Sequence, residues 1–272
     1  MQSSNELKII TLQDVEKLRL LTPKRCRFLD NPIVRERDDG TYVVGTKFRS
    51  LDRMFQAETR IATRNGPHGP YVVLSDKEQI ETALKWQLAR KSLIFLRDWL
   101  DCSLALDFNF AKAAIYTKLG DAERRAKANA DAQAVQYLVN RGLSAVTILG
   151  LYKECDSLCA VPPSPGKVWD LPEEIAKQVA NKSQKEDISP LVRFRKVKQS
   201  IKDISLCDKW EALEAAHLIV SANIHRRKII LIDDKYQSGT TLQFVASKLF
   251  AAGASEVLGL SCVKTWRDTD NT

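Results

Sequence analysis

The sequence predicts an α/β fold, a parallel sheet flanked by helices, with an α+β extension at its amino-terminal side. Three observations carry the prediction. Ile229-Ile230-Leu231-Ile232 is an unbroken apolar run, the pattern of a strand buried on both faces in the middle of a parallel sheet. A short hydroxyl-rich loop follows, and then Leu242, Val245, Ala246, Leu249 and Phe250 repeat at helical spacing up to Gly253, placed for a left-handed C-cap. Two more strand-like runs, Ser157 to Val161 and Val257 to Val263, are separated from the first by helical segments.

Taken in order, Thr11 to Leu21 reads as a short helix with Thr11 as N-cap and Leu12, Val15 and Leu18 on one face. Residues 33–37 and 41–44 read as a hairpin turning at Gly40. Leu51, Met54, Phe55 and Ala57 suggest the next helix, Asn65 to Pro70 a loop, and Tyr71 to Leu74 a short strand. Ser75 and Glu78 form a capping box for a long helix reaching Leu100, with Ile80, Leu84, Leu88 and Leu93 towards the core. Asp131 to Arg141 is the next predicted helix, ended by Gly142, and Asp170 caps another, with Pro172 and Glu173 in its first turn. Ile188 to Phe194 is a strand candidate. Asp208 and Glu211 open a helix running to about Ala222, with His217 on its inner stripe.

The chain has 272 residues, 44% of them hydrophobic, which suits one large domain or two modest ones and excludes a disordered composition. No apolar run reaches membrane-spanning length, and residues 1–6 lack a signal-peptide core, so no membrane association and a cytoplasmic location are expected. The six cysteines include no Cys-x-x-Cys pair and read as reduced thiols, and His68 and His225 have no metal-ligand spacing. The net charge is +8; residues 1–100 hold 18 basic against 13 acidic side chains, and hence +5 of it. Such a balance suits phosphorylated substrates or nucleic acid.

The most informative stretch is Asp233-Asp234-Lys235-Tyr236-Gln237-Ser238-Gly239-Thr240-Thr241, between the apolar run and its helix. Amides of Gln237 to Thr241 at a helix start, hydroxyls of Ser238, Thr240 and Thr241, and a glycine permitting close approach make a phosphate cradle. The stretch resembles the phosphoribosyl diphosphate (PRPP) motif of the type I phosphoribosyltransferases: an apolar strand, two acidic residues, three variable positions, Ser/Thr, Gly, one variable position, Thr/Ser. The resemblance implies that Asp233 and Asp234 act in catalysis, orienting the ribose and its Mg²⁺. It also implies that Lys235, Gln237, Ser238, Gly239, Thr240 and Thr241 bind the substrate, with the 5′-phosphate in the loop.

Looser matches point to the ComF-like branch of that family. Asp107-Phe108-Asn109, Tyr116 to Asp121 and Lys127 resemble the segment before its first strand. Pro162-Pro163-Ser164-Pro165-Gly166-Lys167 is similar to its pyrophosphate loop, which implies substrate roles for Ser164, Gly166 and Lys167. The basic stretch Arg193, Arg195, Lys196, Lys198 and Lys202 resembles its mobile loop, which implies that Arg193 and Arg195 meet the leaving diphosphate. Lys209-Trp210-Glu211 stands where the family carries Arg-x-x-Asn, and the amino-terminal cysteine cluster of ComF proteins is missing. Trp266 and Arg267 follow the last strand, where ligands bind in open α/β sheets.

The resemblance implies a phosphoribosyltransferase-like domain over residues 104–272 behind an extension over 1–103. The expected activity is transfer of phosphoribosyl from PRPP, or a related ribose 5-phosphate nucleotide, to an acceptor the sequence does not identify. The alternative is a PRPP- or nucleotide-sensing regulator or effector subunit of a bacterial defence system without salvage turnover. The extension is expected to serve association with a protein, a nucleic acid or a second copy of the chain.

Overall fold

The run at 229–232 forms the middle of a nine-residue strand, Lys228–Tyr236, in the computed structural model of the chain, which describes residues 9–21, 26–28, 32–197 and 205–266. Branched side chains fit a pleated surface, and here alternate residues feed two cores. Ile230 and Ile232 pack with Leu119, Ala122, Leu138, Val139, Ile175 and Val179, whereas Ile229 and Leu231 pack with Leu213, Leu242, Val245 and Leu249. Each of the four is at most 1% exposed, so truncation of any one to alanine costs about 2–5 kcal/mol.

The strand lies inside a seven-stranded sheet in the order Cys26–Phe28, Ile94–Leu96, Cys102–Ala105, Glu256–Lys264, Lys228–Tyr236, Ser157–Ala160, Glu186–Asp187. Pairing is parallel from Cys102–Ala105 onwards and antiparallel before it. Helices Arg49–Thr59, Lys118–Asn129, Ala132–Ile148 and Leu171–Ser183 feed the core on one face, and Leu206–Ala215 and Thr240–Ala251 the core on the other. The fold is therefore α/β, with a mostly parallel sheet flanked by helices. No helix among the described residues is long and apolar enough to cross a membrane.

The amino-terminal elements include helix Leu12–Leu21, opened by reciprocal bonds between Thr11 and Asp14, and an antiparallel sheet in the order Val34–Glu36, Tyr42–Gly45, Gly69–Leu74, Arg64–Gly66. They are not set apart from the rest. Ile94–Leu96 and Cys26–Phe28 extend the main sheet, Leu51 and Phe55 join the core containing Ile230, and Arg49 and Arg53 reach Asp101. The boundary expected between residues 103 and 104 falls inside the strand Cys102–Ala105, which pairs with strands from both sides of it.

Several expected elements differ. The helix read from Ser75 to Leu100 is Lys77–Ala89, capped by Asp76, whose side chain accepts from the Gln79 amide at 2.8 Å. Its buried positions are Ala83 and Trp86, held by an indole bond to Glu58 of 2.7 Å, and Leu84 and Leu88 are exposed. The apolar residues after it belong to the short strand. Asn65 to Pro70 is a tight hairpin rather than a loop, since Asn65 pairs with Pro70 and Gly66 with Gly69. The helix expected to stop at Gly142 runs on to Ile148, and that glycine lets it lie against Val179 of the neighbouring helix.

Ile188 to Phe194 is split: Ser189–Leu191 is a 3₁₀ turn, and Val192–Phe194 pairs with Leu218–Val220 in a separate ribbon. Leu218–Val220 also cuts short the helix expected to reach Ala222; it ends at Ala215 and is capped by Ser205. His217 consequently lies beyond the helix, exposed, with φ of 57°. Cys102, Cys155, Cys159, Cys207 and Cys262 are free, and all but Cys207 are buried.

Candidate functional site

Parallel strands leave a crevice outside their carboxyl ends, and here it is a cleft of about 370 Å³. Its lining brings together Ser164, Lys167, Asp233, Asp234, Lys235, Gln237, Ser238, Gly239, Thr240 and Thr241, all of them expected site residues. One wall is the end of Lys228–Tyr236 and the start of helix Thr240–Ala251. The other is the segment Val161 to Lys167, tied to the central strand by the Val161 amide, which donates to the Ile232 carbonyl at 2.8 Å.

The first wall is organised around Gly239. Its φ of 72° lies in the left-handed region, and a Cβ there would sit 2.2 Å from the Tyr236 hydroxyl. Tyr236 is 1% exposed and packs in the core with Ile229 and Leu231, so it has little room to yield. Gly239 is the N-cap of the helix, and no side chain caps it. First-turn amides of a helix point out of its amino end, and Thr240, Thr241 and Leu242 of this turn line the cleft. Ser238 Oγ lies 2.9 Å from Thr240 Oγ1, which gathers two hydroxyls at the same point.

The acidic pair divides its work. Asp233 accepts from the Asp234 amide at 2.9 Å, while Asp234, 7% exposed, is bound by Lys127 of helix Lys118–Asn129. Behind them is Glu123, 1% exposed, with Lys235 at 2.9 Å and Lys127 at 3.9 Å. Burial raises the Glu123 carboxyl above the ordinary glutamate range, against the pull of Lys235. Burial works to lower the Lys127 ammonium, but Asp234 and the other carboxylates outweigh it and raise it. Burial pushes the Cys262 thiol well up, and the Asp234 carboxylate adds to the shift. This thiol belongs to the core rather than to the cleft lining and is inert.

On the second wall, Lys167 bonds Asp170 at 2.5 Å, and Asp170 also caps helix Leu171–Ser183. Gly166 turns the loop at φ of 84° without lining the cleft. Arg193 and Arg195 do not line it either; both are exposed. Alternation explains this: Val192 and Phe194 face the core, Phe194 stacked on Phe244 of helix Thr240–Ala251 at 6.4 Å, so the residues between and beyond them face outward. Lys198, Lys202 and Arg267 lie outside the described residues. Trp266 is half exposed and outside the cleft lining, its amide bonded to Asn109.

The structure adds Lys127 and Lys209 to the lining. Lys209, 4% exposed, comes from helix Leu206–Ala215. Its local sequence marks it only as the residue standing where the family carries the arginine of Arg-x-x-Asn, on a helix with ordinary capping. The Lys127–Asp234 contact joins residues 107 apart in the chain, beyond the reach of any local pattern. Among the described residues no group of three His, Cys, Asp or Glu is placed to hold a metal. Asp233 and Asp234 are cleft carboxylates of the kind that hold Mg²⁺, an ion that commonly takes one or two protein carboxylates and completes its shell with water and substrate phosphates. What the cleft offers is anion binding by amides, hydroxyls and lysines beside carboxylates that accept from hydroxyl groups. The chain matches no protein-family model and no curated protein.

Proposed function

We propose that the cleft binds a 5′-phosphorylated ribose, with PRPP as the ligand that accounts for most of its features, and that the protein is phosphoribosyltransferase-like. One observation carries the reading. An acidic pair at the carboxyl end of the central strand runs through a left-handed glycine into an uncapped helix start, facing Ser164 and Lys167 across a single cleft. The phosphate belongs on the amides of Gly239 to Thr241 with the Ser238 and Thr240 hydroxyls. Ribose hydroxyls donate to Asp233 and Asp234. Lys167 and Lys209 are the cations for a diphosphate. Mg²⁺ would enter with the ligand, and Asp233 and Asp234 are the carboxylates that would hold it. Transfer to a nitrogenous acceptor would break the bond from C1 of the ribose to the diphosphate oxygen, the lysines holding the departing charge.

A second reading, a sensor or defence-system effector that binds the same ligand without turning it over, is favoured by two features. Arg193 and Arg195 stand outside the cleft, and Asp234 is already engaged by Lys127. Calorimetric titration of the full chain with PRPP and Mg²⁺, and with ribose 5-phosphate, tests the shared part. Saturable binding is expected, and no heat with any 5′-phosphorylated ribose would end both readings. Diphosphate release on addition of candidate bases then separates enzyme from sensor.

A further inference from the structure

Away from the cleft, the antiparallel sheet presents an outer face of unusual composition. Strand alternation sends Val34, Val44 and Leu74 into the core and leaves Arg35, Val43, Gly45, Tyr71 and Arg64 on the other side. The register sets them in rows: Arg35 pairs with Val43, while Gly45 and Arg64 flank Tyr71 on its two sides. Arg64 lies 4.9 Å over the Tyr71 ring. A Cβ at Gly45 would meet nothing within 4 Å, so the surface beside the ring is open. A groove of about 510 Å³ runs along this face; Arg35, Arg37 and Lys47 are the cations of its lining, His68 also lines it, and Arg64 stands outside the lining, over the ring.

The groove has no acidic residue in its lining. The nearest carboxylates in sequence are Glu36, which pairs with Tyr42 and so points to the opposite face from Arg35, and Asp38 and Asp39 at the hairpin tip, where Asp39 is occupied by the Thr41 amide and hydroxyl at 3.0 and 2.6 Å. Lys47 is held at the rim by backbone geometry: its φ is 65°, and the Gly69 backbone approaches so closely that a Cβ there would fall 2.4 Å from the Lys47 carbonyl. Exposed cations along an apolar floor with one aromatic ring suit a polyanion that also carries flat apolar faces. An acidic peptide would use the charges and leave the ring and floor unmatched. A duplex offers phosphates but hides its bases.

From this charge complementarity we infer that the outer face of the antiparallel sheet binds single-stranded nucleic acid, with a base against Tyr71 and phosphates on Arg35, Arg64 and Lys47. The site is separate from the cleft and does not depend on the ribose-phosphate reading.

Fluorescence anisotropy of the full chain with a labelled mixed-sequence oligonucleotide of about 15 nucleotides tests it, as RNA, as single-stranded DNA and as duplex DNA. Saturable binding of a single strand is expected, with weaker binding of the duplex; the preferred strand tells RNA from DNA. Arg35→Glu with Arg64→Glu should weaken binding at least about tenfold and lower the salt slope by about one per arginine. Tyr71→Ala should weaken it about tenfold with the slope unchanged. Unfolding temperature serves as the check on folding, and Arg35→Gln with Arg64→Gln is the milder pair if the charge reversals unfold the sheet. The inference is overturned if no single strand binds, if the duplex binds equally well, if a polyglutamate peptide competes as strongly as the oligonucleotide, or if the folded variants bind like the parent.

Discussion

The cleft and the outer face of the antiparallel sheet are both rich in cations, but they are built in opposite ways. In the cleft, charge is paired and partly buried: Lys127 holds Asp234, Lys167 holds Asp170, and Lys235 lies against Glu123. In the proposed reading the 5′-phosphate is held chiefly by backbone amides at a left-handed glycine and a helix start, with Lys167 and Lys209 left for the diphosphate. On the sheet face Arg35, Arg37, Lys47 and Arg64 are exposed side chains over an apolar floor. The first arrangement suits a compact phosphate that must sit in one orientation. The second suits a long ligand that gains from many loose contacts. Substitutions should therefore act steeply in the cleft and gradually on the sheet.

The steepest effect is expected at Gly239. An alanine there adopts a left-handed backbone at about 1–2 kcal/mol and must also displace the buried Tyr236 hydroxyl. Gly239→Ala should abolish ribose-phosphate binding by calorimetry and lower stability by about 2–4 kcal/mol in urea unfolding. A variant with both properties intact would show that the loop is not organised around this glycine.

Asp234→Asn comes next. It removes the partner of Lys127 while leaving that ammonium near Glu123 and partly in solvent, so stability should change by no more than about 1 kcal/mol. Ribose-phosphate affinity should fall more than about tenfold, because one hydroxyl acceptor is lost and the cation beside it is released. Equal affinity in parent and variant would make Asp234 a structural anchor for helix Lys118–Asn129 instead.

The Glu123 carboxyl provides a pH test of the buried pairing. Its folded-state pKa is raised by burial, so the stability tied to its protonated form is fully present below the ordinary glutamate range. That contribution is lost as pH rises through the raised value. Glu123→Gln should flatten stability against pH across this window, removing a slope of at most ~1.4 kcal/mol per pH unit, measured by urea unfolding at a series of pH values. An unchanged slope would place the titration elsewhere.

How far the sequence reveals the two regions follows from their construction. Where a single stretch carries strand, acidic pair, glycine and helix, as from Ile229 to Gly253, local pattern is sufficient, and the structure places those residues as expected. Where the site depends on distant segments, local pattern fails: Lys127 and Lys209 reach the cleft from separate helices. The misjudged helix near residue 90 has a different cause. Leu93 to Leu96 continues the apolar spacing of Lys77–Ala89 with no glycine or proline between, and a short buried strand cannot be told from a helix end by periodicity alone. Leu84 and Leu88 then look like core residues, when the core is reached through Ala83 and Trp86. The boundary expected at residue 103 rests on the resemblance of the segments after it, and it falls inside the strand Cys102–Ala105, which pairs with strands from both sides.

The smallest effect is expected where sequence and structure disagree most about the site. Arg193 and Arg195 resemble anion-binding residues by position in the chain, yet Arg193 lies in, and Arg195 just after, a strand of the two-stranded ribbon packed through Phe194 onto Phe244. The alternation that buries Val192 and Phe194 leaves both guanidinium groups in solvent. For either to enter the cleft, the ribbon would have to rotate by one residue and exchange its buried phenyl ring for a cation, at a cost of about 3 kcal/mol or more from the lost burial. A ligand phosphate reached only through water recovers little of that. Arg193→Ala with Arg195→Ala should therefore leave PRPP affinity within about twofold of the parent at physiological ionic strength, with stability also unchanged to within about 0.5 kcal/mol. A loss of tenfold or more, insensitive to salt, would mean that the ribbon does turn over onto the bound diphosphate. The cleft would then share with the sheet face a dependence on exposed arginines, and the contrast between the two surfaces would fail at that point.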